Sequence, residues 1–511
     1  MRILFRNCTA HRLPPAATAG WVLVDGSRFA AIGTGDEPQA DRVVDLHAAH
    51  VYPAFVDAHV HLPATGLYAA GTDFRGERSL AAILKAFKER AADRSALLFG
   101  GNFEDPLDEP ISRVELDGVV GDRPALLARA DMHSSVVSTA LLSELDITSL
   151  EGVDRDADGA PTGYLREQAA AAAWTWFDRN LPKEQARDAV RTAVKLAYSK
   201  GVTSVHEMHV VEWRGWAAWD TLAEATSDMA MVVVPYLATT DVERVKSMGL
   251  NRIGGDYFLD GSFGSHTAWL AEPYLSPPPS GSSSTGISYR DDEGLYEFFL
   301  EAQKADLQVG VHAIGDAAIE QAISTWERVA REVGVPEVRR KGHRIEHFEC
   351  SSDDHLERAR ILGLRASVQP AFDLYWGGPG GLYAERMGWD RAREMNRFGT
   401  MLDRGLVVGA GSDSTVTPLD PFVQMRAMRG HHLADERLGR TLAIKMHTMS
   451  SRALAFGPGL DGTLEAGAVA DIVALDRDLA DTEIDDLTAT EVLGTWAAGT
   501  QVWPPGSAES D

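Results

Sequence analysis

A long alternation of short apolar segments with helical segments constrains the fold more than any other feature of this chain. Eight apolar, β-prone segments predict strands, and amphipathic helical patterns such as residues 183–200 lie between them. Such alternation is typical of an α/β fold, and eight strands fit a distorted (β/α)₈ (TIM) barrel. The predicted strands are residues 51–60, 202–206, 231–237, 257–260, 309–312, 345–347, 366–369 and 406–413.

The rest of the chain predicts additions to this barrel. Residues 1–52 and 455–511 are rich in short strands, so we expect both termini to form one small β-sandwich domain, with the barrel over residues 53–454. About 140 residues separate the first two barrel strands, far more than the roughly 30 residues of one strand–helix unit. Residues 62–200 therefore predict an inserted α/β subdomain.

Composition excludes several classes of partner. The 511 residues carry a formal net charge of −26, which argues against a nucleic-acid or anionic-membrane surface. The sequence has no run of roughly 18 apolar residues, so we expect no membrane span. Cys8 and Cys350 are the only cysteines, which excludes a disulfide framework and favours a reducing compartment. We expect a cytoplasmic protein.

Polar side chains close several of the predicted strands. His59 and His61 end the first strand two residues apart, and alternate residues of a strand point to the same side. Two imidazoles at this spacing can bind one metal ion, and imidazole suits zinc, iron, nickel or copper. The polar residues at predicted strand ends are His59, His61, His206, Asp260, His312, His347 and Asp413.

Motifs along nearly the whole chain resemble the metal-dependent amidohydrolase superfamily, in particular amidohydrolase family 3, the group that includes N-substituted formamide deformylase. The resemblance implies a metal-dependent hydrolase with the barrel and terminal β-domain predicted above. The matching motifs are residues 53–61 (PAFVDAHVH), 163–167 (GYLRE), 259–268 (LDGSFGSHTA), 312–316 (HAIGD), 344–347 (RIEH), 367–370 (SVQP), 411–413 (GSD) and 462–471 (GTLEAGAVAD).

The resemblance also implies roles for particular residues. His59, His61, His312 and Asp413 are the implied metal ligands, and His347 either joins them or hydrogen-bonds the attacking water or the substrate oxygen. Asp413 is the implied general base and acid, which takes a proton from the water and passes it to the leaving nitrogen. We therefore predict Asp413 and His347 as catalytic residues. Zinc is the expected ion, with iron or manganese as alternatives.

Asp256 departs from the family pattern. Many relatives carry a lysine four residues before the Asp-Gly-Ser turn, and when carboxylated that lysine bridges two metals. This chain has Asp256 at that position. Either Asp256, Asp260 or Glu167 supplies a bridging carboxylate, or the site holds one metal. At this stage one tightly held zinc is favoured over two metals.

The predicted substrate is a small molecule. Candidate substrate-binding residues are His133, His206, His266 and Trp376. We expect hydrolysis of a C–N bond in an amide, N-acyl or N-formyl compound. The alternatives are a deaminase of a heterocyclic or amidine-like substrate and a metal-dependent decarboxylase. The resemblance is also compatible with a homodimer.

Overall fold

The computed structural model describes the chain apart from residues 14–17, 93, 95–96, 105, 131–132, 148–149, 279–281, 458, 460 and 506–511. Strands and helices alternate through most of it, as the sequence predicts. Among the described helices, none combines the length and apolar character needed to cross a bilayer.

The strands fall into four hydrogen-bonded sheets. Most are apolar and rich in β-branched residues, which pack well on a pleated surface. In chain order they are β1 (Arg2–His11), β2 (Thr18–Asp25), β3 (Arg28–Gly33), β4 (Arg42–Pro53), β5 (Phe55–Val60), β6 (Thr72–Asp73), β7 (Leu98–Phe103), β8 (Ala125–Arg129), β9 (Ser134–Val137), β10 (Val153–Arg155), β11 (Pro161–Arg166), β12 (Val202–Val210), β13 (Val232–Ala238), β14 (Arg252–Ile253), β15 (Gln308–Ala313), β16 (Arg344–His347), β17 (Arg365–Val368), β18 (Val407–Ala410), β19 (Ile472–Leu475), β20 (Val492–Ala497) and β21 (Thr500–Trp503).

The helices lie mainly between strands of the long middle section. Several begin at a Ser or Asp side chain that accepts a hydrogen bond from the first turn, such as Asp291 and Ser352. In chain order they are α1 (Leu62–Ala70), α2 (Leu80–Arg90), α3 (Arg113–Val120), α4 (Thr139–Ser143), α5 (Glu167–Asn180), α6 (Lys183–Ser199), α7 (Val211–Thr226), α8 (Val242–Ser247), α9 (Asp292–Lys304), α10 (Asp316–Val333), α11 (Val335–Lys341), α12 (Asp353–Leu362), α13 (Pro370–Trp376), α14 (Leu382–Met387), α15 (Trp389–Ala392), α16 (Phe398–Asp403), α17 (Pro421–Arg429), α18 (Arg440–Met446) and α19 (Met449–Phe456).

Both chain termini contribute to one seven-stranded sheet, in the order β21-β20-β19-β4-β1-β2-β3. Its inner face buries a separate apolar cluster that includes Phe5, Val24, Ile472 and Trp496. The two termini therefore meet as the sequence predicts. The division of this region into the two layers of a sandwich, and its boundaries at residues 52 and 455, stay predictions.

The section between β5 and β12 has a sheet of its own, in the order β10-β11-β9-β8-β7-β6. Helices α2, α3 and α5 pack on it through clusters that include Phe87, Leu116 and Trp174. This is the region predicted as an inserted α/β subdomain, although α6, at its end, packs against α1 and on strand β12.

Eight parallel strands of the middle section form two sheets, β13-β12-β5 and β14-β15-β16-β17-β18. Most of their residues are buried, on both faces of the sheets, which is why they appear in the sequence as continuous apolar runs. Backbone hydrogen bonds join the sheets: Gly254 N donates to Leu237 O at 2.8 Å, and Asp413 N donates to His59 O at 2.8 Å. The prediction of a parallel α/β fold is confirmed, with two joined sheets in place of one regular ladder.

Two predicted strands differ from the structure. The segment 51–60 is not one strand but two, because the chain leaves the terminal sheet at Pro53 and enters the middle sheet at Phe55. The segment 257–260 is not a strand, and only Phe258 forms a single bridge to His312. Apolar periodicity marks both segments as buried but cannot tell which sheet they join.

The close approach of α1 to α6 depends on a glycine. A Cβ on Gly66 would lie 1.7 Å from the carbonyl oxygen of Ala189. Gly66→Ala is therefore expected to destabilise the protein by about 1–3 kcal/mol, the usual cost of forcing extra volume into a packed contact. The measurement is the unfolding free energy in denaturant.

Gly118→Ala is the matched control, because Gly118 lies in α3 and a Cβ there meets nothing within 4 Å. We expect this control to be neutral or stabilising by up to about 1 kcal/mol. Equal stability of the Gly66 and Gly118 variants would contradict the packing account.

Candidate metal centre

His59 and His61 lie at the end of β5 and direct their Nε2 atoms towards the same two carboxylates. The Nε2 of His59 is 3.4 Å from Asp256 Oδ2 and 3.4 Å from Asp413 Oδ1. The Nε2 of His61 is 3.1 Å from each of the same two oxygens. Four donor atoms from three separate parts of the chain thus face one point.

Asp256 also faces a second pair of histidines. Its Oδ1 lies 3.7 Å from His312 Nδ1, on β15, and 3.7 Å from His347 Nε2, at the end of β16. One carboxylate therefore stands between two histidine pairs, with one oxygen towards each. The structure brings together all five sequence-predicted ligands together with Asp256.

The outer ring nitrogen of each histidine is bound to the protein. A neutral imidazole carries one N–H, so the nitrogen that faces inward presents a lone pair. The outer bonds run from His59 Nδ1 to Glu346 Oε2 (3.1 Å), from His61 Nδ1 to Met208 O (2.9 Å), from His312 Nε2 to Gly261 O (3.2 Å) and from His347 Nδ1 to Gln369 Oε1 (2.8 Å).

Several inward-facing atoms are buried and have no hydrogen-bond partner: His59 Nε2, His312 Nδ1, His347 Nε2, Asp256 Oδ1 and Asp413 Oδ1. Buried polar atoms are normally paired, so five such atoms, divided between the two histidine pairs, call for a ligand. Ligands of a tetrahedral zinc at 2.0–2.1 Å lie about 3.3 Å from one another. The 3.1–3.4 Å distances around His59 and His61 fit that geometry.

The charges of the site favour a cation. Burial alone would lower the pKa of His59, but Asp256 and Asp413 hold it well above its ordinary value. Burial would raise the pKa of Asp256, and the surrounding histidines hold it well below its ordinary value. The same carboxylates that favour a proton on these rings favour a metal ion in its place.

The buried ion pair of Arg344 and Glu346 orients the ring of His59. Arg344 Nη2 donates to Glu346 Oε2 at 2.7 Å, and that oxygen accepts from His59. Arg344 Nη1 contacts His206 Nδ1 at 2.8 Å. His206, predicted as a substrate-binding residue, is a fully buried mid-strand residue because β12 continues to Val210, and it lines neither of the two cavities described below.

A cavity of about 420 Å³ opens onto the centre. Aromatic residues and a buried carboxylate, Glu349, line it beside His312, His347 and Asp413. A second cavity of about 40 Å³ lies on the other side of the same ligands, among Trp174, Trp213 and Phe258. Two predicted substrate-binding residues face this space: Trp376 lines the large cavity and His133 lines both.

Three other candidates lie outside the ligand cluster. His266 does not line either cavity, because its Nε2 pairs with Ser276 Oγ at 3.1 Å. Glu167 accepts from His133 Nδ1 at 3.0 Å and from the Tyr289 hydroxyl, so it positions His133. Asp260 accepts backbone N–H groups of Ile314, Gly315 and Trp269. Asp256 is the candidate carboxylate whose oxygens face both histidine pairs.

Sequence reasoning missed the residues that hold the ligands. Gln369 closes β17, and Met208 contributes only its backbone carbonyl, so neither has a metal-binding signature. Glu349 follows His347 by two residues, and its Oε2 is buried without a hydrogen-bond partner. Burial raises the pKa of Glu349 to about 7. The signal that could have found Glu349 is a carboxylate two residues after a strand-end histidine.

Histidines and carboxylates converge at the ends of parallel strands in this α/β fold. Such a site is typical of metal-dependent hydrolases, and comparison with known proteins agrees with that class. The chain matches the model of the amidohydrolase family over residues 42–503. A crystal structure of an uncharacterized metal-dependent hydrolase from Pyrococcus horikoshii superposes with a TM-score of 0.76 at 25% identity, covering 95% of this chain and 99% of that one.

Two curated relatives are similar over most of their length. Protein LONG AFTER FAR-RED 3 of Arabidopsis thaliana is 27% identical over 498 residues, covering 90% of this chain and 83% of that protein. N-substituted formamide deformylase of Arthrobacter pascens is 26% identical over 529 residues, covering 94% of each. The chain belongs to the amidohydrolase family and is a hydrolase, and this family implies a divalent metal.

Metal binding to the metal-free protein is expected to release protons and to tighten as the pH rises. Burial would lower the pKa of His61, but Asp256 and Asp413 raise it to about 9, and its Nε2 must lose its proton before it binds a metal. Below that pH the zinc Kd should fall at least about tenfold for each pH unit gained, because His59, whose pKa is also raised, must lose its proton as well. Competition with a chelator of known affinity measures it.

His61→Gln is the comparison variant, since it lacks this proton. Its zinc affinity should be weaker and should depend less steeply on pH. A wild-type Kd that does not change over this range, after correction for the chelator's own protonation, would contradict the account.

Proposed function

We propose that this chain is a two-metal hydrolase of C–N bonds in which Asp256 bridges the ions. The observation that carries this is the position of Asp256, with Oδ2 at 3.1–3.4 Å from the His59 and His61 nitrogens and Oδ1 at 3.7 Å from those of His312 and His347. The geometry thus favours two ions over the single zinc favoured by the sequence. Zinc suits the nitrogen and oxygen donors, and iron or manganese is the alternative.

The proposed architecture is a distorted (β/α)₈ barrel with two additions. The joined sheets β13-β12-β5 and β14-β15-β16-β17-β18 contain eight parallel strands, and the five predicted ligands lie at or near their carboxyl ends. Active sites of such barrels occupy this face. The terminal seven-stranded sheet and the inserted six-stranded sheet are then separate additions that support and cover the barrel.

The residues act on a water molecule and a polarised carbonyl. Bound divalent metals act as Lewis acids and lower the pKa of a coordinated water. Asp413 directs Oδ1 towards the metal-facing nitrogens of His59 and His61, so its other carboxyl oxygen would accept the proton of the attacking water. The same carboxyl then donates the proton to the leaving nitrogen. His347, fixed by Gln369, stands beside Asp413 on the wall of the large cavity.

The sizes of the two cavities favour a substrate whose acyl group is much smaller than its amine. The 40 Å³ cavity has about a tenth of the volume of the 420 Å³ cavity, so it suits a small acyl group such as formyl or acetyl. The 420 Å³ cavity, with Phe372, Trp376 and Tyr383 on its walls, suits an aromatic or other apolar amine. The relative from Arthrobacter pascens is by name a deformylase of N-substituted formamides, which agrees with this division.

Product analysis tests the reaction class. With an N-formyl arylalkylamine we expect formate and the free amine in equal amounts, loss of activity with a chelator, and recovery with zinc. Acyl groups larger than acetyl should react at least about tenfold more slowly, because they exceed the small cavity.

Two results of the product analysis would favour one of the alternative reactions over amide hydrolysis. Ammonia without a carboxylate product, from a heterocyclic or amidine-like compound, would select a deaminase. Carbon dioxide release would select a decarboxylase. Full activity of metal-free protein would reject all three, since each depends on the same metal centre.

Asp413→Asn should lower kcat by about 10²–10⁴-fold at saturating metal, because an amide cannot accept the proton of the attacking water. Metal content is measured on the same sample, since Asp413 is also a ligand. Asp353→Asn is the control, a carboxylate with a side chain 62% exposed on α12, and should match wild type. An Asp413 variant within tenfold of wild type at equal metal content would remove Asp413 from the mechanism.

A further inference from the structure

A second group of metal-ligand side chains lies far from the centre described above. Among the described residues, four sets of three or more such side chains bring their donor atoms within 4.8 Å of one another, and three of these sets belong to the active site. The fourth consists of His11, His50 and Asp478. It lies in the terminal sheet, and the proposed hydrolase reaction does not use it.

Three neighbouring strands bring these residues together. His50 lies on β4, which pairs with β1 on one side and with β19 on the other. His11 is the last residue of β1, and Asp478 follows the end of β19 by three residues. The group therefore joins the N-terminal part of the chain to its C-terminal part, across the middle strand of the sheet.

The donor atoms are spaced as ligands of one ion. His11 Nε2 lies 3.0 Å from His50 Nδ1 and 3.9 Å from Asp478 Oδ2. These two separations lie on either side of the about 3.3 Å between the ligands of a tetrahedral zinc. Two imidazoles and a carboxylate are a common ligand set for zinc.

Neighbouring groups hold the ligands in place. Asp478 Oδ1 accepts from the Tyr52 hydroxyl at 2.6 Å and from Ala480 N at 2.8 Å, which leaves Oδ2 directed towards His11. The His11 ring stacks on Tyr52 at a centroid distance of 4.3 Å and an interplanar angle of 3°. Hydrogen bonds of this kind orient the ligands of protein metal sites.

We propose that His11, His50 and Asp478 form a structural zinc site that fastens the two ends of the chain together. Asp478 has a side chain 22% exposed, so water can complete the coordination. Because a metal that binds only the folded chain stabilises it, the site should contribute to the stability of the terminal sheet. This inference does not rest on the hydrolase function.

The test is the zinc content of tag-free, zinc-loaded protein after dialysis, by mass spectrometry. His50→Gln should hold one zinc fewer per chain than wild type, with unchanged hydrolysis and a lower unfolding temperature. His47→Gln is the matched control, because His47 lies on the same strand with a side chain 88% exposed. It should keep the wild-type zinc content.

Asp478→Asn tests the site independently of any folding defect in the His50 variant. The amide oxygen can still accept from Tyr52, while the charged ligand is lost, so this variant should also lose one zinc. Folded His50 and Asp478 variants with the wild-type zinc content would overturn the proposal. An equal loss in His47→Gln would do so too, because it would show unspecific binding to surface histidines.

Discussion

The buried carboxylate of Asp256 is the interaction on which the rest of the site depends. It is 3% exposed, and it faces four histidines whose own burial would be unfavourable if they were charged and unpaired. The carboxylate offsets that cost in the metal-free protein by favouring protons on His59 and His61. In the proposed two-metal centre it would compensate the charge of the ions. Loss of Asp256 would leave the histidine pairs without the group that joins them.

The fold explains how side chains so far apart in sequence reach one point. Parallel strands place their carboxyl ends at one edge, so His59 meets His312 and His347 although it precedes both by more than 250 positions. Strand backbones alone do not fix the rings. Glu346, Gln369 and two backbone carbonyls orient the outer nitrogens, and the Arg344 ion pair holds Glu346 in turn.

Much of this arrangement could be predicted from the sequence. Polar residues that close apolar runs marked His59, His61, His312, His347 and Asp413, and the structure brings all five together. The same rule placed His206 at a strand end, where the structure continues β12 for four more residues. Strand ends are weakly marked when the next residues continue an alternation of polar and apolar side chains, and the adjacent segment 207–210 (EMHV) does so.

Other features depend on tertiary contacts that have no local signature. Asp256 lies in the loop after β14, and the geometry of that loop turns its two oxygens towards different histidine pairs. The sequence could therefore identify Asp256 as a candidate ligand, but it could not give the number of ions in the site. The division of segment 51–60 between two sheets depends on which neighbours each half meets. The cluster of His11, His50 and Asp478 joins residues more than 400 positions apart and lacks any short motif.

Anomalous diffraction from crystals of zinc-loaded protein, collected on both sides of the zinc absorption edge, tests the central claim most directly. Two zinc peaks on either side of the Asp256 carboxylate are the predicted result, one near the His59 and His61 nitrogens and the other near those of His312 and His347. A single peak at full occupancy, with Asp256 bound through one oxygen only, would contradict the bridging role of Asp256.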